Sequence, residues 1–223
     1  MTKKDFSIEE TLTFGWNTMK ANFWFFVGVL IVAGLIFFIP RVIATMLQRE
    51  SAGLSFLFNI IGWIADIIIA IGLITIALKF LDNKKPEFDD LFSFKPYFWQ
   101  YLLGSILYGL IVMGGFFLFV IPGIYWAIKF QFFGYFIVDK KLDAIEALRY
   151  SSRLTKGVKW HLLGFGIVIW FIELLGLLAL IIGLFAAVPI VLVAYAFVYR
   201  KLLNQTESIQ IEETQVQPAT TNV

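Results

Sequence analysis

Residues 140–160 read KKLDAIEALRYSSRLTKGVKW, and the contrast between this stretch and its two flanks decides the fold. It carries Lys140, Lys141, Arg149, Arg153, Lys156 and Lys159. Upstream, residues 97–138 hold a single basic residue, Lys129, within long apolar runs. Downstream, residues 160–199 hold neither Lys nor Arg. Extended outward, the same alternation covers the whole chain: long apolar runs, short polar segments, and basic residues in every second segment. That pattern predicts an all-α, multi-pass helical membrane bundle.

Composition narrows the function classes. The chain has 223 residues, 60% of them apolar and 15% charged, and a mean hydropathy of +0.83. This is too apolar for a soluble globule. The net charge of +2 is small. The basic residues flank apolar runs instead of forming a basic domain, so a nucleic-acid partner is not expected. Cysteine is absent, which excludes disulfides and thiolate chemistry. The one histidine, His161, cannot build a histidine metal site alone. No metal or other cofactor is expected, and no nucleophile-and-base arrangement is visible.

Six spans are predicted, at residues 23–39, 54–80, 97–120, 124–138, 160–181 and 184–203, since ~20 apolar residues cross a bilayer. Pro40-Arg41 is expected to end or kink the first. Ile121-Pro122-Gly123 reads as a tight turn. Gly176 and Gly183 bracket the last reversal. Ahead of the first span, Ser7-Ile-Glu-Glu10 has capping-box form. Ile8, Leu12, Trp16 and Met19 then recur at helical spacing, so residues 1–22 read as a helix lying on the membrane surface or extending the first span. Asp143 and Glu146 cap a second short helix, and Gly157 suits its end. The Gln/Thr/Glu-rich residues 204–223 read as a disordered tail.

Charge sets the orientation. Lys3, Lys4 and Lys20 precede the first span; Lys79, Lys84, Lys85 and Lys95 lie between spans two and three. The six basic residues of the opening stretch lie between spans four and five, and Arg200 and Lys201 follow span six. These make up 15 of the 18 Lys and Arg, against Arg41 and Arg49 on the other side. The bias predicts that both termini are cytoplasmic.

Two segments match at an offset of 136 residues. Glu10, Leu12, Lys20, Trp24, Gly28 and Ile31 correspond to Glu146, Leu148, Lys156, Trp160, Gly164 and Ile167. A weaker echo runs through Trp99 and Gly104. The reading is an internal repeat of three helical hairpins, each preceded by an interfacial helix. The alternative is convergence, because Lys and Trp favour membrane interfaces in any such protein.

The order Ile121-Pro-Gly-Ile-Tyr125, Ile137-Val-Asp139, Ala144-Ile-Glu-Ala-Leu148, Ser151-Ser-Arg-Leu-Thr-Lys-Gly157 and Tyr199-Arg200 resembles the membrane domain of glycerophosphoryl diester phosphodiesterases and its stand-alone bacterial inner-membrane relatives. Phe14-Gly-Trp16 and Asn22-Phe-Trp24 fit as well. The resemblance implies a bacterial inner-membrane location and an anchoring or accessory role. The phosphodiesterase chemistry is not carried over, because it needs acidic and histidine residues clustered around a metal.

Asp66, Lys129 and Glu173 are the ionisable residues deep inside predicted spans. Each costs roughly 2.5–3.5 kcal/mol at a bilayer centre, so partners are expected. Counting ~1.5 Å of rise per residue from the span ends puts all three near one level. Lys129 is therefore expected to pair with Asp66 or Glu173, either as a closed latch or as a proton- or solute-responsive centre. Asn59, Trp63 and Tyr125 are candidates to line the same pocket. Arg149, Arg153, Lys156 and Lys159 form a basic strip suited to anionic lipid of the inner leaflet, or to a protein partner. The leading function is a non-enzymatic membrane scaffold or accessory protein engaging lipid or a membrane partner. The runner-up is a small transporter or channel subunit that uses the three buried charges.

Overall fold

In the computed structural model, the backbone of residues 4–179 and 183–216 is described, with side chains as far as 209. The elements are α1 (Ile8–Ala21), α2 (Phe23–Leu47), α3 (Ala52–Leu81), a 3-10 turn (Phe88–Phe92), α4 (Phe98–Leu118), α5 (Val120–Phe130), α6 (Phe133–Lys140), α7 (Ala144–Leu154), α8 (Lys159–Leu178) and α9 (Leu184–Val216). There is no strand among the described residues. Six segments are long and apolar enough to cross a membrane, with α5 and α6 together supplying the fourth. In all but the α9 segment, which is 61% buried, the apolar surface largely faces outward: the α4 segment has a mean hydropathy of 1.9, yet 11% of it is buried. Only a hydrocarbon surround satisfies such a surface. This is an all-α, six-span integral membrane bundle.

Local chemistry sets the helix starts. Ser7 accepts the Glu10 amide at 3.2 Å, and Asp143 accepts the Ile145 and Glu146 amides at 2.9 Å each, so both side-chain caps form where the sequence places them. Trp24, Trp99 and Trp160 each occupy the second position of a span, and all are strongly exposed. That is the expected site for an indole at a membrane interface.

Other boundaries differ from the sequence reading. α2 does not stop at Ile39; it continues through Pro40 to Leu47. Proline costs about 3 kcal/mol in a soluble helix interior, but an apolar medium offers the chain no water to break into. Arg41 helps here: Nη1 donates to the Phe37 carbonyl one turn back, at 2.7 Å. The reversal between α4 and α5 falls on Phe119, whose backbone is extended, and Ile121-Pro122-Gly123 forms the first turn of α5. Proline fits there because its missing N–H has no helical partner to lose. The two helices then meet at glycine: a Cβ on Gly115 would lie 2.9 Å from the Gly123 Cα. At the last reversal Gly176 touches Gly183; residues 180–182 lie outside the described ones. α9 continues past Asn204 to Val216. Glu and Gln are good helix formers, and Lys140–Glu207 (3.1 Å) and Gln205–Asp5 (2.7 Å) bonds hold its start in place. The remaining tail, 217–223, is outside the described residues.

α6 and α9 form the centre. Phe132 through Val138 are all buried, as are Val193, Ala194, Ala196, Val198, Tyr199 and Leu202. α1 runs antiparallel along α9, with Phe14 on Phe197 (5.0 Å between rings) and Gly15 against the Ile190 carbonyl. The buried line of α1 is Thr11, Gly15 and Met19. Trp16 of the expected apolar stripe is exposed, because close helix approach needs small residues at the contact. Both described chain ends therefore meet at one end of the bundle, together with α7. We refer to this as the basic end.

Candidate functional site: a groove beside a broken span

The fourth span is discontinuous. α5 ends at Phe130, Gln131 and Phe132 turn, and α6 starts at Phe133. A break inside an apolar segment frees backbone groups that lipid cannot satisfy. α7 supplies the partners. The Ser151 hydroxyl accepts the Phe132 amide at 3.1 Å and donates to the Lys129 carbonyl at 3.2 Å. The Thr155 hydroxyl donates to the same carbonyl at 3.1 Å. Ser151 and Thr155 are fully buried, one turn apart, on the apolar face of α7. α7 is anchored in turn by its first amide, which donates to Gln100 of α4 at 3.1 Å.

Beside the break lies an open cleft of about 730 Å³ between α3, α4, α5, α6, α8 and α9. Its walls are apolar apart from Gln131 and four tyrosines, Tyr101, Tyr108, Tyr135 and Tyr195. Tyr108 donates to the Ala127 carbonyl at 3.3 Å. The other three hydroxyls have no partner among the described residues. A second hollow of about 490 Å³ continues the cleft. The two share Ile124, Ile128 and Leu163, so one groove runs between α5 and α8. Its other end is closed by Tyr125, Gly157, Lys159 and Trp160. There Lys159 Nζ donates to the Tyr125 hydroxyl and sits 3.9 Å from the centre of its ring. The arrangement is amphiphilic: a long apolar channel with a cation at one end.

No family model, curated protein or solved structure matches this chain. The groove's chemistry therefore rests on its own residues.

The three intramembrane charges do not form one centre. Asp66 pairs with Arg41, not with Lys129: Nη1 reaches Oδ1 at 3.2 Å, and Nη2 contacts Oδ2. The guanidinium also lies 3.7 Å from the Phe37 ring centre. By sequence Arg41 falls outside the first span, but the continuation of α2 through Pro40 carries it to the level of Asp66. Lys129 has no carboxylate within 4 Å among the described residues; its ammonium lies 4.8 Å from the Phe130 ring centre. Glu173 is exposed on α8, one turn beyond Trp170, without an ion pair among the described residues. The expected shared pocket also separates. Asn59 donates to the Ser55 carbonyl of its own helix at 2.8 Å and Trp63 is exposed, and neither lines the groove that holds Tyr125. Of the basic strip, Arg149, Arg153 and Lys156 are exposed, and Lys159 turns into the groove.

In the sequence Ser151 and Thr155 stand only as members of a motif, and the four tyrosines carry no assigned role. Two hydroxyls at i and i+4 on the buried face of an amphipathic helix were a usable signal. So was Tyr101 with Tyr108, seven residues apart on one face of α4.

At the basic end, Lys4 donates to the Arg153 and Leu154 carbonyls at 3.0 and 3.3 Å. Partial burial, and then the nearby Lys156 charge, hold the Lys4 ammonium below its ordinary pKa.

Proposed function

We propose that this chain is a non-enzymatic accessory protein of the bacterial inner membrane that engages membrane lipid in the α5–α8 groove. One observation carries the reading: an apolar channel, open along its side, ends at the Lys159–Tyr125 pair. Lateral openness suits a ligand that arrives from the bilayer, and apolar walls with a few placed polar groups suit specific binding. The basic segments favour cytoplasmic termini. The resemblance to the membrane domain of glycerophosphoryl diester phosphodiesterases agrees with an accessory role. The echo among Trp24, Trp99 and Trp160 agrees with three repeated hairpins.

The test is lipid retention. Gly166 lines the cleft, and a Cβ there meets nothing within 4 Å. Gly166→Leu therefore fills the channel without a backbone clash. Delipidated protein in detergent is expected to bind phospholipid saturably, by native mass spectrometry, and Gly166→Leu to weaken that binding. Equal binding by both proteins sinks the reading.

The broken fourth span favours a second reading, a small transporter, since discontinuous helices line solute paths in such proteins. Proteoliposomes that pass no proton or solute current would remove it.

A further inference from the structure

We infer that the groove selects phospholipids whose headgroup carries net negative charge, with Lys159 and Tyr125 as the residues that hold the phosphate. This rests on the lipid-groove reading above and adds the identity of the headgroup.

Charge comes first. Neither hollow has an Asp or Glu in its lining. Lys159 is unmatched by any carboxylate within 4 Å among the described residues, and so is Lys129, one turn beyond Tyr125 on α5. Three carboxylates of the basic end are engaged elsewhere: Asp5 with His161 at 3.0 Å, Glu10 with Lys201, and Asp139 with Arg200 at 2.8 Å. Two unneutralised lysines beside an apolar channel call for an anion from outside the protein.

Donor geometry comes second. A lysine ammonium has three donors and the tyrosine hydroxyl one. Lys159 spends one donor on Tyr125, which leaves the tyrosine's own O–H free to turn outward. Lys159 is also the first residue of α8, and its N-cap, Val158, offers no side-chain cap. The first-turn amides thus add positive potential at the same spot. Gly157, which lines the groove with a φ of +90°, puts no side chain over them.

The channel's direction comes third. From Lys159 to Trp170 the groove follows α8 for 11 residues, or about 17 Å of rise. A phosphate seated at Lys159 places its acyl chain along Ile128 and Leu163, toward the tyrosine-lined cleft. Phosphatidylcholine carries the same chains and phosphate but adds a quaternary cation, which two lysines oppose.

Full-length protein in detergent is titrated with phosphatidylglycerol and with phosphatidylcholine of identical chains, read by native mass spectrometry. Phosphatidylglycerol is expected to bind about tenfold more tightly, because the choline cation of phosphatidylcholine is repelled by Lys159 and Lys129. Lys159→Gln is expected to weaken both lipids, phosphatidylglycerol the more, and so to shrink that preference, and Lys159→Arg to retain most of it. If Lys159→Gln does not fold, Lys129→Gln supplies the test through a smaller loss of the same preference. Equal binding of the two lipids by the natural protein overturns the headgroup inference and leaves the lipid groove standing. Binding of neither lipid overturns the groove itself. Loss of preference in Arg149→Gln/Arg153→Gln, with none in Lys159→Gln, assigns selectivity to the exposed surface and overturns the inference.

Discussion

Arg200 of α9 and Asp139 at the end of α6 meet at 2.8 Å, and the two central helices of the bundle are joined there. The same guanidinium reaches both oxygens of Asp82, just past the end of α3, at 2.9 and 3.2 Å. The Tyr199 hydroxyl donates to Asp139 at 2.9 Å, and its ring stacks on Tyr135 of α6. Residues from three distant parts of the sequence thus close the basic end.

Arg200→Ala is expected to destabilise the protein by about 2–3 kcal/mol, because charge-assisted bonds to two carboxylates are lost and Asp139 is mostly buried. Tyr199→Phe, which leaves Arg200 in place, is expected to cost about 1 kcal/mol. Thermal unfolding in detergent, followed by size-exclusion chromatography, ranks the two. The reverse order would show that the Tyr199 hydroxyl, not Arg200, is what holds Asp139 in this corner.

Ser151→Ala leaves the buried Phe132 amide without a partner and the Lys129 carbonyl with Thr155 alone. A cost of about 1–3 kcal/mol is expected. Thr155→Val removes one of two donors to a carbonyl that keeps the other, so the loss is smaller. Amide exchange is the sharper readout: the Phe132 amide is expected to exchange faster in Ser151→Ala and unchanged in Thr155→Val.

Arg41 and Asp66 are coupled, whereas Lys129 and Asp66 are not. Arg41→Gln or Asp66→Asn alone leaves one charge in an apolar segment, and each is expected to lower stability. The double variant is expected to recover part of the loss, since removing both partners is cheaper than stranding one. A double-mutant cycle gives the coupling. A larger coupling between Lys129 and Asp66 would overturn this assignment.

Gly72 packs against the Leu91 backbone so closely that any Cβ would collide with the Leu91 carbonyl. Backbone cannot yield as a side chain can. Gly72→Ala is expected to cost about 1–3 kcal/mol by overpacking and to loosen the Lys79–Asp90 contact (2.5 Å) beside the 3-10 turn. Gly164→Ala meets open space and is expected to be neutral. Tm values of the pair check this directly.

The candidate site was legible in part. Lys159 and Tyr125 stood out by residue type and position, but in separate roles, one on a surface strip and one in a buried pocket. Nothing in their spacing, 34 residues apart, says that α5 and α8 lie side by side. The break after Phe130 was hidden for a related reason. Gln131 alone marks it, and the span runs on in apolar residues through Val138. What stabilises the break is Ser151, on another helix. Pro40 misled in the opposite direction, since a local stop signal was overridden by the membrane's intolerance of open backbone.

By itself the sequence determined that the chain is helical, that it crosses the membrane six times, and where its caps lie. Those properties are local. An apolar run of sufficient length satisfies its own backbone within one helix, and a Ser or Asp at a helix start reaches amides two or three residues away. Only the tertiary structure decided that Asp66 meets Arg41, that Arg200 spans Asp82 and Asp139, and that Lys159 turns toward Tyr125. Such pairings depend on the depth and rotation of each helix relative to its neighbours. Those are set by where small and large side chains interlock across the whole bundle, as Gly15 does with Ile190 and Gly115 with Gly123.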